Sequence, residues 1–307
     1  ENLANMRTNG WELSVSWNDK INNVGGSPLM YSIGVGLADS YSTITKFDNP
    51  EGALNNYYEG KRIGEIWGYV TDGFIQDEAE AQRMATIQGD ISKTWKVGDI
   101  RYKDLDGVEG ITSAKTIYNT GDQKVIGNTT PRYSFNINAS ASWKGFDVRV
   151  FFEGIAKRDL WIDSPVFWGF PSNSNVWQSA VNDYHVDNSW SENNTNAYYP
   201  LPSYSGRSKQ TQTKYLQNGA YIRLKDLTIS YTIPKAWIST VGIEQLKVFA
   251  SGQNLWVGTK LFKYLDPDIV STRQSNSKDN KLVGNLTSDG KAYPFSRTFS
   301  FGINLTF

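Results

Sequence analysis

Apolar and polar residues alternate with a period of two in seven separate stretches of the chain. Such alternation places successive side chains on opposite faces of a β-strand. The stretches lie at 11–17, 31–37, 133–143, 146–152, 227–233, 246–250 and 293–307, and in the first of them tryptophan, leucine and valine alternate with glutamate and serine. We therefore predict seven strands, most of them near the roughly 9–11 residues that a tilted strand needs to cross a bilayer.

The connections between these stretches are alternately short and long. Residues 19–28, 144–145 and 234–245 make the short ones, whereas 46–131, 157–214 and 258–292 make the long ones. Membrane barrels combine tight turns on the periplasmic side with long loops on the extracellular side. The fold class predicted is all-β, a transmembrane antiparallel up-and-down β-barrel. A soluble lectin-like sandwich would share the alternation, but the asymmetry of its connections would not be expected.

Seven is an odd number of strands, and this affects topology and completeness. With seven strands, Glu1 and the three long connections would lie on one side of the membrane and Phe307 on the other. An open sheet would leave two strand edges unpaired in lipid, where each unsatisfied backbone group is costly. We expect the remaining barrel strands to come from upstream sequence rather than from other chains. Residues 1–307 are accordingly interpreted as the C-terminal part of a larger barrel.

Composition narrows the class of protein further. Aromatic residues make up 14% of the chain, including 11 tryptophans, which fits the aromatic girdles of membrane barrels. The formal net charge is zero, so no basic surface indicates nucleic-acid binding. The absence of cysteine excludes disulfides and thiolate metal sites. No run of 18 apolar residues indicates a membrane-spanning helix.

Several motifs, in order along nearly the whole chain, resemble those of one transporter family. They are Gly10-Trp11-Glu12-Leu13 (GWEL), IGEIWGY at 63–69 with DGF at 72–74, GDIRYKDL at 98–105, VIGNTTPRY at 125–133, AYIRLKDLTISYTIP at 220–234, GQNL at 252–255 and the terminal Phe307. Together they resemble the SusC/RagA family of TonB-dependent outer-membrane transporters of Bacteroidetes. The AYIRLKDLTISYTIP block is the most diagnostic of these motifs.

The resemblance implies a fold, a location and a function. Members of the family have a barrel of about 22 strands closed by an N-terminal plug, and the plug is not in this sequence. They sit in the outer membrane, surrounded by its lipid, engage TonB, and are covered by a SusD-like surface lipoprotein. The resemblance implies nutrient import without chemistry on the substrate, so the chain would not be an enzyme. Oligosaccharides are the favoured substrates, with oligopeptides as the alternative. A passive porin-like or adhesive barrel is the alternative from a different class.

Candidate chemistry is sparse. His185 lies in a polar loop without a metal-binding or catalytic partner in sequence, and we expect a surface residue there. The stretch Asp104-Leu105-Asp106-Gly107-Val108-Glu109 resembles a shortened form of an acidic loop in the family. Calcium prefers clustered oxygen ligands. Two interpretations stay open, namely a plain carboxylate-rich turn and a calcium site formed by Asp99, Asp104, Asp106 and Glu109.

Two further features lie within the long connections. Residues 78–87 read as a short helix with Asp77 as its N-cap. Residues 161–204 are rich in aromatic and small polar residues, and flat aromatic rings can stack on sugars. Substrate contact is predicted for Trp168, Trp177, Trp190, Tyr198 and Tyr199. Packing within the loop and docking of a lipoprotein are the alternatives for these rings.

Overall fold

Seven strands form one antiparallel sheet in the order of the sequence, as the alternation predicts. The computed structural model describes residues 4–171, 177, 179–239, 242–269 and 293–307. With all strands numbered along the chain, the sheet contains β1 (Ala4–Val24), β2 (Ser27–Phe47), β7 (Arg132–Trp143), β8 (Phe146–Lys157), β11 (Tyr221–Thr232), β12 (Gln245–Thr259) and β13 (Thr298–Thr306). The predicted fold class is confirmed.

The register of the sheet gathers the apolar side chains on one face. Val15 pairs with Val35, Val35 with Ile137, and Ile137 with Phe152, so one apolar row crosses four strands. A second row runs from Ile229 through Ala250 to Phe301. Many of these side chains are solvent-exposed in the isolated chain, among them Val15 at 56% and Phe301 at 82%. A continuous exposed apolar face is what a barrel presents to lipid.

On the opposite, polar face, two glycines of β2 leave room for the side chains of two asparagines on the neighbouring strand β7. A Cβ atom on Gly34 would lie 2.6 Å from Oδ1 of Asn138, and one on Gly36 would lie 2.5 Å from Nδ2 of Asn136. The sequence Gly34-Val35-Gly36 therefore packs against a neighbouring strand.

β1 and β2 are each 21 residues long, about twice the predicted length. They stay paired from Ala4 and Phe47 down to Val24 and Ser27. At both ends, a few apolar residues such as Met6, Ile21 and Ile44 are scattered among polar residues without regular alternation. Hydrophobic periodicity therefore could not show that backbone pairing continues there. The turn between them is only Gly25-Gly26, both with positive φ, instead of the ten residues predicted.

The other two short connections lie on the same side of the sheet. Lys144 and Gly145 form the predicted two-residue turn, and both have positive φ. The connection from β11 to β12 includes α4 (Lys235–Ile238). Among the described residues, no helix is both long and apolar enough to cross a bilayer.

The long connections contain secondary structure that alternation did not predict. The first loop (48–131) contains β3 (Glu65–Tyr69), β4 (Thr71–Phe74), α1 (Glu78–Ile87), β5 (Ile100–Tyr102) and β6 (Gln123–Asn128), and the second loop (158–220) contains β9 (Asp159–Leu160), α2 (Pro165–Trp168), α3 (Asp183–Asn188), a 3₁₀ turn (Arg207–Lys209) and β10 (Gln217–Asn218). The predicted helix 78–87 is confirmed with its N-cap, because Oδ1 of Asp77 accepts from Glu80 N at 2.7 Å. The third loop (260–297) is described only at 260–269 and 293–297.

The main hydrophobic core belongs to the loops and not to the sheet. It joins residues from all three loops, including Ile75 and Ile100 of the first, Phe167 and Tyr215 of the second, and Phe262 of the third. The sheet has one face polar and the other face outward, so it cannot form such a core. The described parts of the three loops therefore form one packed body at the long-connection end of the barrel wall.

Candidate functional site

The polar face of the sheet is a wall of hydroxyl and amide groups, and in a membrane barrel this face lines the lumen. One row crosses six strands, and its members are Ser32, Ser140, Arg149, Thr228, Ser251 and Ser300. The hydroxyls of Ser32 and Ser140 lie 2.7 Å apart within hydrogen-bonding distance. Most of this row can donate and accept hydrogen bonds without carrying charge.

Charged side chains on the lumen face are mostly paired. Lys247 Nζ lies 2.7 Å from Asp147 Oδ2, and the hydroxyl of Ser142 donates to the other oxygen of Asp147 at 2.5 Å. Lys225 Nζ lies 2.5 Å from Glu153 Oε1. These pairs cancel charge locally, so the polar face of the sheet has little net charge at these positions.

Arg149 and Asp226 differ from those residues. Within the part of the chain that the structure describes, neither side chain has an ion-pair partner within 4.0 Å, although Asp226 accepts a hydrogen bond from Thr228 at 3.1 Å. Arg149 is exposed and sits opposite Ser140 and Thr228. Ionisable residues within membrane spans often mark the solute path. The sequence signal for Arg149 was the presence of charged residues at odd positions 147, 149 and 153 of β8, whose even positions 146, 148, 150 and 152 are apolar.

The third loop is tied to the lumen face of β11 by an ionic cluster. Asp266 Oδ1 accepts from Arg223 Nη2 at 2.5 Å, and Asp268 Oδ1 accepts from the hydroxyl of Tyr221 at 2.6 Å. The ring of Phe295 lies 5.3 Å from the Arg223 guanidinium. Arg223 is almost fully buried by these contacts. Residues 266–268 therefore lie against the polar face of this strand.

Three of the five aromatic residues predicted to contact substrate are buried in the loop core. Trp168 is 5% exposed, Trp190 8% and Tyr199 2%. Trp168 packs against Tyr215 with ring centroids 4.7 Å apart and donates from Nε1 to the Ile162 carbonyl at 3.0 Å. The substrate-contact interpretation is corrected for these three residues, because neighbouring side chains cover their rings.

Trp177 and Tyr198 are placed differently from the other three aromatics. Trp177 is 93% exposed. Tyr198 is half-buried, and its hydroxyl accepts from Nε2 of Gln217 at 3.0 Å. Substrate contact stays a prediction for these two residues. Local composition could not separate Trp177 from Trp168, because burial here depends on residues more than 40 positions away.

His185 is buried and not at the surface, which corrects the expectation from sequence. It lies in α3, where its Nδ1 is 3.1 Å from Asn182 Oδ1 and its Nε2 is 3.1 Å from the Phe167 carbonyl. Asn182 caps the helix, and His185 completes a reciprocal capping pair with it. Burial lowers the pKa of His185, which keeps the imidazole neutral. His185 therefore links α3 to Phe167 of the aromatic core.

The acidic residues predicted as calcium ligands do not form one group. Asp99 is fully buried, with Oδ2 accepting from Arg207 Nε at 2.5 Å and Oδ1 from the Ser208 hydroxyl at 2.9 Å. The interpretation of Asp99 as a calcium ligand is therefore corrected: both of its carboxylate oxygens bind side chains of the 3₁₀ turn. Glu109 is exposed and outside the group. Among the described residues, Asp104, Asp106 and Asp122 bring carboxylate oxygens within 4.8 Å of one another.

The Asp104–Asp106–Asp122 group also has an internal structural role. Asp104 accepts from Gly107 N at 2.7 Å, and Asp106 accepts from Val108 N at 2.9 Å. Asp122 accepts from Leu105 N at 2.6 Å and from Thr112 N at 2.7 Å. The plain-turn interpretation fits these bonds, while calcium stays a prediction. Asp122 lies 16 residues beyond Asp106, so the acidic motif alone could not indicate it.

Lys209 occupies a cage of carbonyl groups in the second loop. Its Nζ donates to the carbonyls of Phe170, Pro171 and Ser203 at 2.9, 3.1 and 2.6 Å. Desolvation by burial lowers the pKa of Lys209 to about 8. The ammonium therefore holds three separate stretches of the loop together.

A transmembrane sheet with an apolar outer face, a polar inner face and a packed body of loops on one side defines a segment of a large membrane β-barrel. No protein-family model matches the chain. TonB-dependent receptor P3 of Formosa agariphila is 30% identical over 249 residues, which is 81% of this chain and 22% of that protein. TonB-dependent receptor P26 of the same organism is 26% identical over 69% of this chain and 20% of its own length.

Solved structures agree with these relatives in fold. A chain of the RagAB peptide importer in the closed-closed state matches with a TM-score of 0.67 and 19% identity, over 100% of this chain and 30% of that one. The open-open state of the same importer matches with a TM-score of 0.65. The chain belongs to the TonB-dependent receptors, and the predicted resemblance is confirmed. It spans about a fifth of the length of the curated relatives.

Proposed function

We propose that this chain forms part of the wall of an outer-membrane transporter that imports oligosaccharides in a TonB-dependent manner. The observation that carries the proposal is the row of hydroxyl groups across the lumen face, interrupted by the single charge of Arg149. A neutral, hydroxyl-rich solute can exchange its hydrogen bonds with water for bonds to such a wall. The ion pairs at Asp147 and Glu153 also limit the charge that the solute meets.

Oligopeptide import is the second candidate. Arg149 and Asp226 are charges of opposite sign on adjacent strands, and neither has an ion-pair partner among the described residues. Such a pair could receive the two charged ends of a short peptide. The RagAB structures that share the fold are described as a peptide importer. The names of receptors P3 and P26 give no substrate. The hydroxyl row favours oligosaccharide.

The remaining partners are part of the same proposal. We expect TonB to act through a plug outside this sequence, and a SusD-like lipoprotein to cover the body of loops. The exposed ring of Trp177 is available for either the lipoprotein or the substrate. The protein would move its substrate without chemical change and is not proposed to be an enzyme. Membership of the TonB-dependent receptors disfavours the passive porin-like or adhesive barrel.

Growth on defined nutrients tests the proposal. A strain lacking the protein should fail to grow on its oligosaccharide and grow normally on oligopeptides, and loss of TonB should reproduce this defect. A defect confined to peptide medium would select the second candidate. Normal growth of the deletion strain on every oligosaccharide and peptide tried would contradict both.

Two variants examine the lumen wall directly. Arg149→Gln with Asp226→Asn keeps hydrogen-bonding groups but removes both charges. Oligosaccharide uptake should change little, whereas uptake of a zwitterionic peptide should fall strongly if peptides are the substrate. The matched double variant, Ser251→Ala with Ser300→Ala, removes two hydroxyl groups and leaves both charges in place. It should weaken oligosaccharide uptake more than peptide uptake.

A further inference from the structure

Phe151 places an aromatic ring on the polar face of the sheet. In β8 the apolar side chains of the outer face occupy even positions, and Phe152 belongs to them. Phe151 shares the parity of the charged positions 147, 149 and 153, so it lies on the polar face with them. The ring is half-buried and is not part of the hydrophobic core that the described loop residues form. Neither contact with lipid nor the loop core therefore accounts for this ring.

The register surrounds Phe151 with groups that form hydrogen bonds. Asn138 on β7 and Asp226 on β11 lie opposite it, and Gln253 on β12 is the next partner of Asp226. Arg149 precedes it by two residues on the same face. Neighbouring strands are about 5 Å apart, and residues two apart in a strand are about 7 Å apart. One apolar ring thus has a rim of two amides, one carboxylate and one guanidinium.

The side chains beside Phe151 are engaged in other directions. The amide of Asn138 lies over Gly34 on the far side of β7, because a Cβ atom on that glycine would be 2.6 Å from Oδ1 of Asn138. Asp226 accepts a hydrogen bond from Thr228 of its own strand. Phe249 on β12 also lies on the polar face, but its ring occupies the space above Gly302. Phe151 differs from Phe249 because no glycine stands opposite it for its ring to cover.

We infer that Phe151 is a stacking platform for one sugar ring of the transported oligosaccharide, a subsite that presupposes the proposed function. The C–H groups on a face of a pyranose pack on an aromatic ring, while its hydroxyl groups point outward around the edge. A carboxylate accepts hydrogen bonds, a guanidinium donates them, and an amide does both. Asp226, Arg149 and Asn138 supply these groups around the ring. An apolar surface with a few placed polar groups is the usual composition of a ligand site.

The charges at the rim favour a transient sugar over a permanently docked protein segment such as part of the plug. Within the described part of the chain, Arg149 and Asp226 have no ion-pair partner within 4.0 Å. Covering them permanently with protein is costly unless each receives a well-placed partner. A sugar brings hydroxyl groups to both and leaves them accessible to water before and after it passes.

Phe151 and Phe152 are a matched pair of positions for the test. They are neighbours in β8, both half-buried, and on opposite faces of the sheet. Phe151→Ala removes the ring from the polar face, and Phe152→Ala removes one from the outer face. Phe151→Leu keeps apolar bulk without a flat ring, whereas Phe151→Trp keeps a flat ring and enlarges it. A residue that only packs should tolerate leucine better than tryptophan, and a stacking platform should show the opposite order.

Isothermal titration calorimetry of the complete protein in detergent gives the readout. The probes are maltohexaose, cellohexaose and xylohexaose, with pentaalanine as the peptide. The wild type, Phe152→Ala and Phe151→Trp should bind one of these saccharides with similar affinity. Phe151→Ala and Phe151→Leu should bind the same saccharide at least several-fold more weakly.

The outcomes separate this subsite from the proposed function. If the wild type binds a saccharide and Phe151→Leu binds it equally well, the subsite is overturned and the proposed function stands. The same holds if Phe151→Ala and Phe152→Ala bind it equally. Normal saccharide binding by Phe151→Ala with a lower melting temperature would assign the ring to packing against protein. A wild type that binds pentaalanine but none of the saccharides would overturn the proposed function itself.

Discussion

The indole ring of Trp190 lies so close to Gly98 that a Cβ atom on the glycine would be 2.3 Å from Cδ2 of the ring. Gly98 has a φ of +85°, a backbone conformation that residues with a side chain rarely adopt. Its carbonyl accepts from Leu201 N at 2.8 Å, and its amide donates to the Ile75 carbonyl at 2.9 Å. The first and second loops are therefore joined at a position that only glycine fits.

Replacing Gly98 by alanine should open this junction. Overpacking against Trp190 and the strained backbone together should destabilise the loops by about 3 kcal/mol. Limited proteolysis of the folded protein should then cleave the second loop faster. Gly107→Ala is the control, because Gly107 also has positive φ but has no atoms near its missing side chain. Equal cleavage of the two variants would contradict the role of Trp190.

Alanine at Trp168 and at Trp177 should have opposite consequences. Trp168→Ala leaves a cavity in the aromatic core and should cost about 3–5 kcal/mol of loop stability. Trp177→Ala should leave stability unchanged, because its ring is 93% exposed, and should reduce uptake if the ring contacts substrate. Thermal unfolding and an uptake assay on the same preparations separate these effects. Unchanged uptake with Trp177→Ala would end the prediction of substrate contact.

Raising the pH should stabilise the second loop through Lys209. Its pKa is lowered to about 8 in the folded protein, so the unfolded chain holds the proton more tightly between this value and the ordinary 10.5. Stability therefore rises with pH in that window, by up to about 2 kcal/mol between about pH 8 and 9.5. Urea unfolding followed by tryptophan fluorescence measures it. Lys209→Met should remove the slope, and a slope that persists in this variant would assign it to other groups.

Calcium binding remains a prediction for the first loop. Three carboxylates within 4.8 Å repel one another, and a divalent cation at Asp104, Asp106 and Asp122 would relieve that repulsion. Added calcium should then raise the melting temperature of the wild type but not of Asp106→Asn. Glu109→Gln should behave like the wild type, because Glu109 is outside the group. A melting temperature insensitive to calcium would support the plain turn.

The sheet was predictable because its signal is local. Alternation along each strand and the lengths of the connections indicated seven antiparallel strands in sequence order. The ends of β1 and β2 were missed because backbone pairing there continues through mostly polar stretches without regular alternation. Asp77 and α1 were predicted correctly because a cap and a helix of ten residues depend on neighbours in sequence.

The loop body was not predictable in the same way. Whether an aromatic ring is a core residue or an exposed contact depends on which loops meet, and this is set by partners far away in sequence. His185 looked like a surface residue because its own segment is polar, yet Phe167 and Asn182 enclose it. Asp99 was predicted as a metal ligand because its partner, Arg207, lies 108 positions later and could not be identified from the sequence.

The shared core of the three loops has a kinetic consequence. The core contains residues as far apart in sequence as Tyr69 and Leu265. Structure built from such distant segments is expected to form more slowly than local structure. In contrast, each strand of the sheet pairs with the strands that precede and follow it in the sheet order, which is the order of the sequence. We therefore expect the loop body to be the last part of this chain to gain protection from hydrogen exchange during assembly, and the first to lose it.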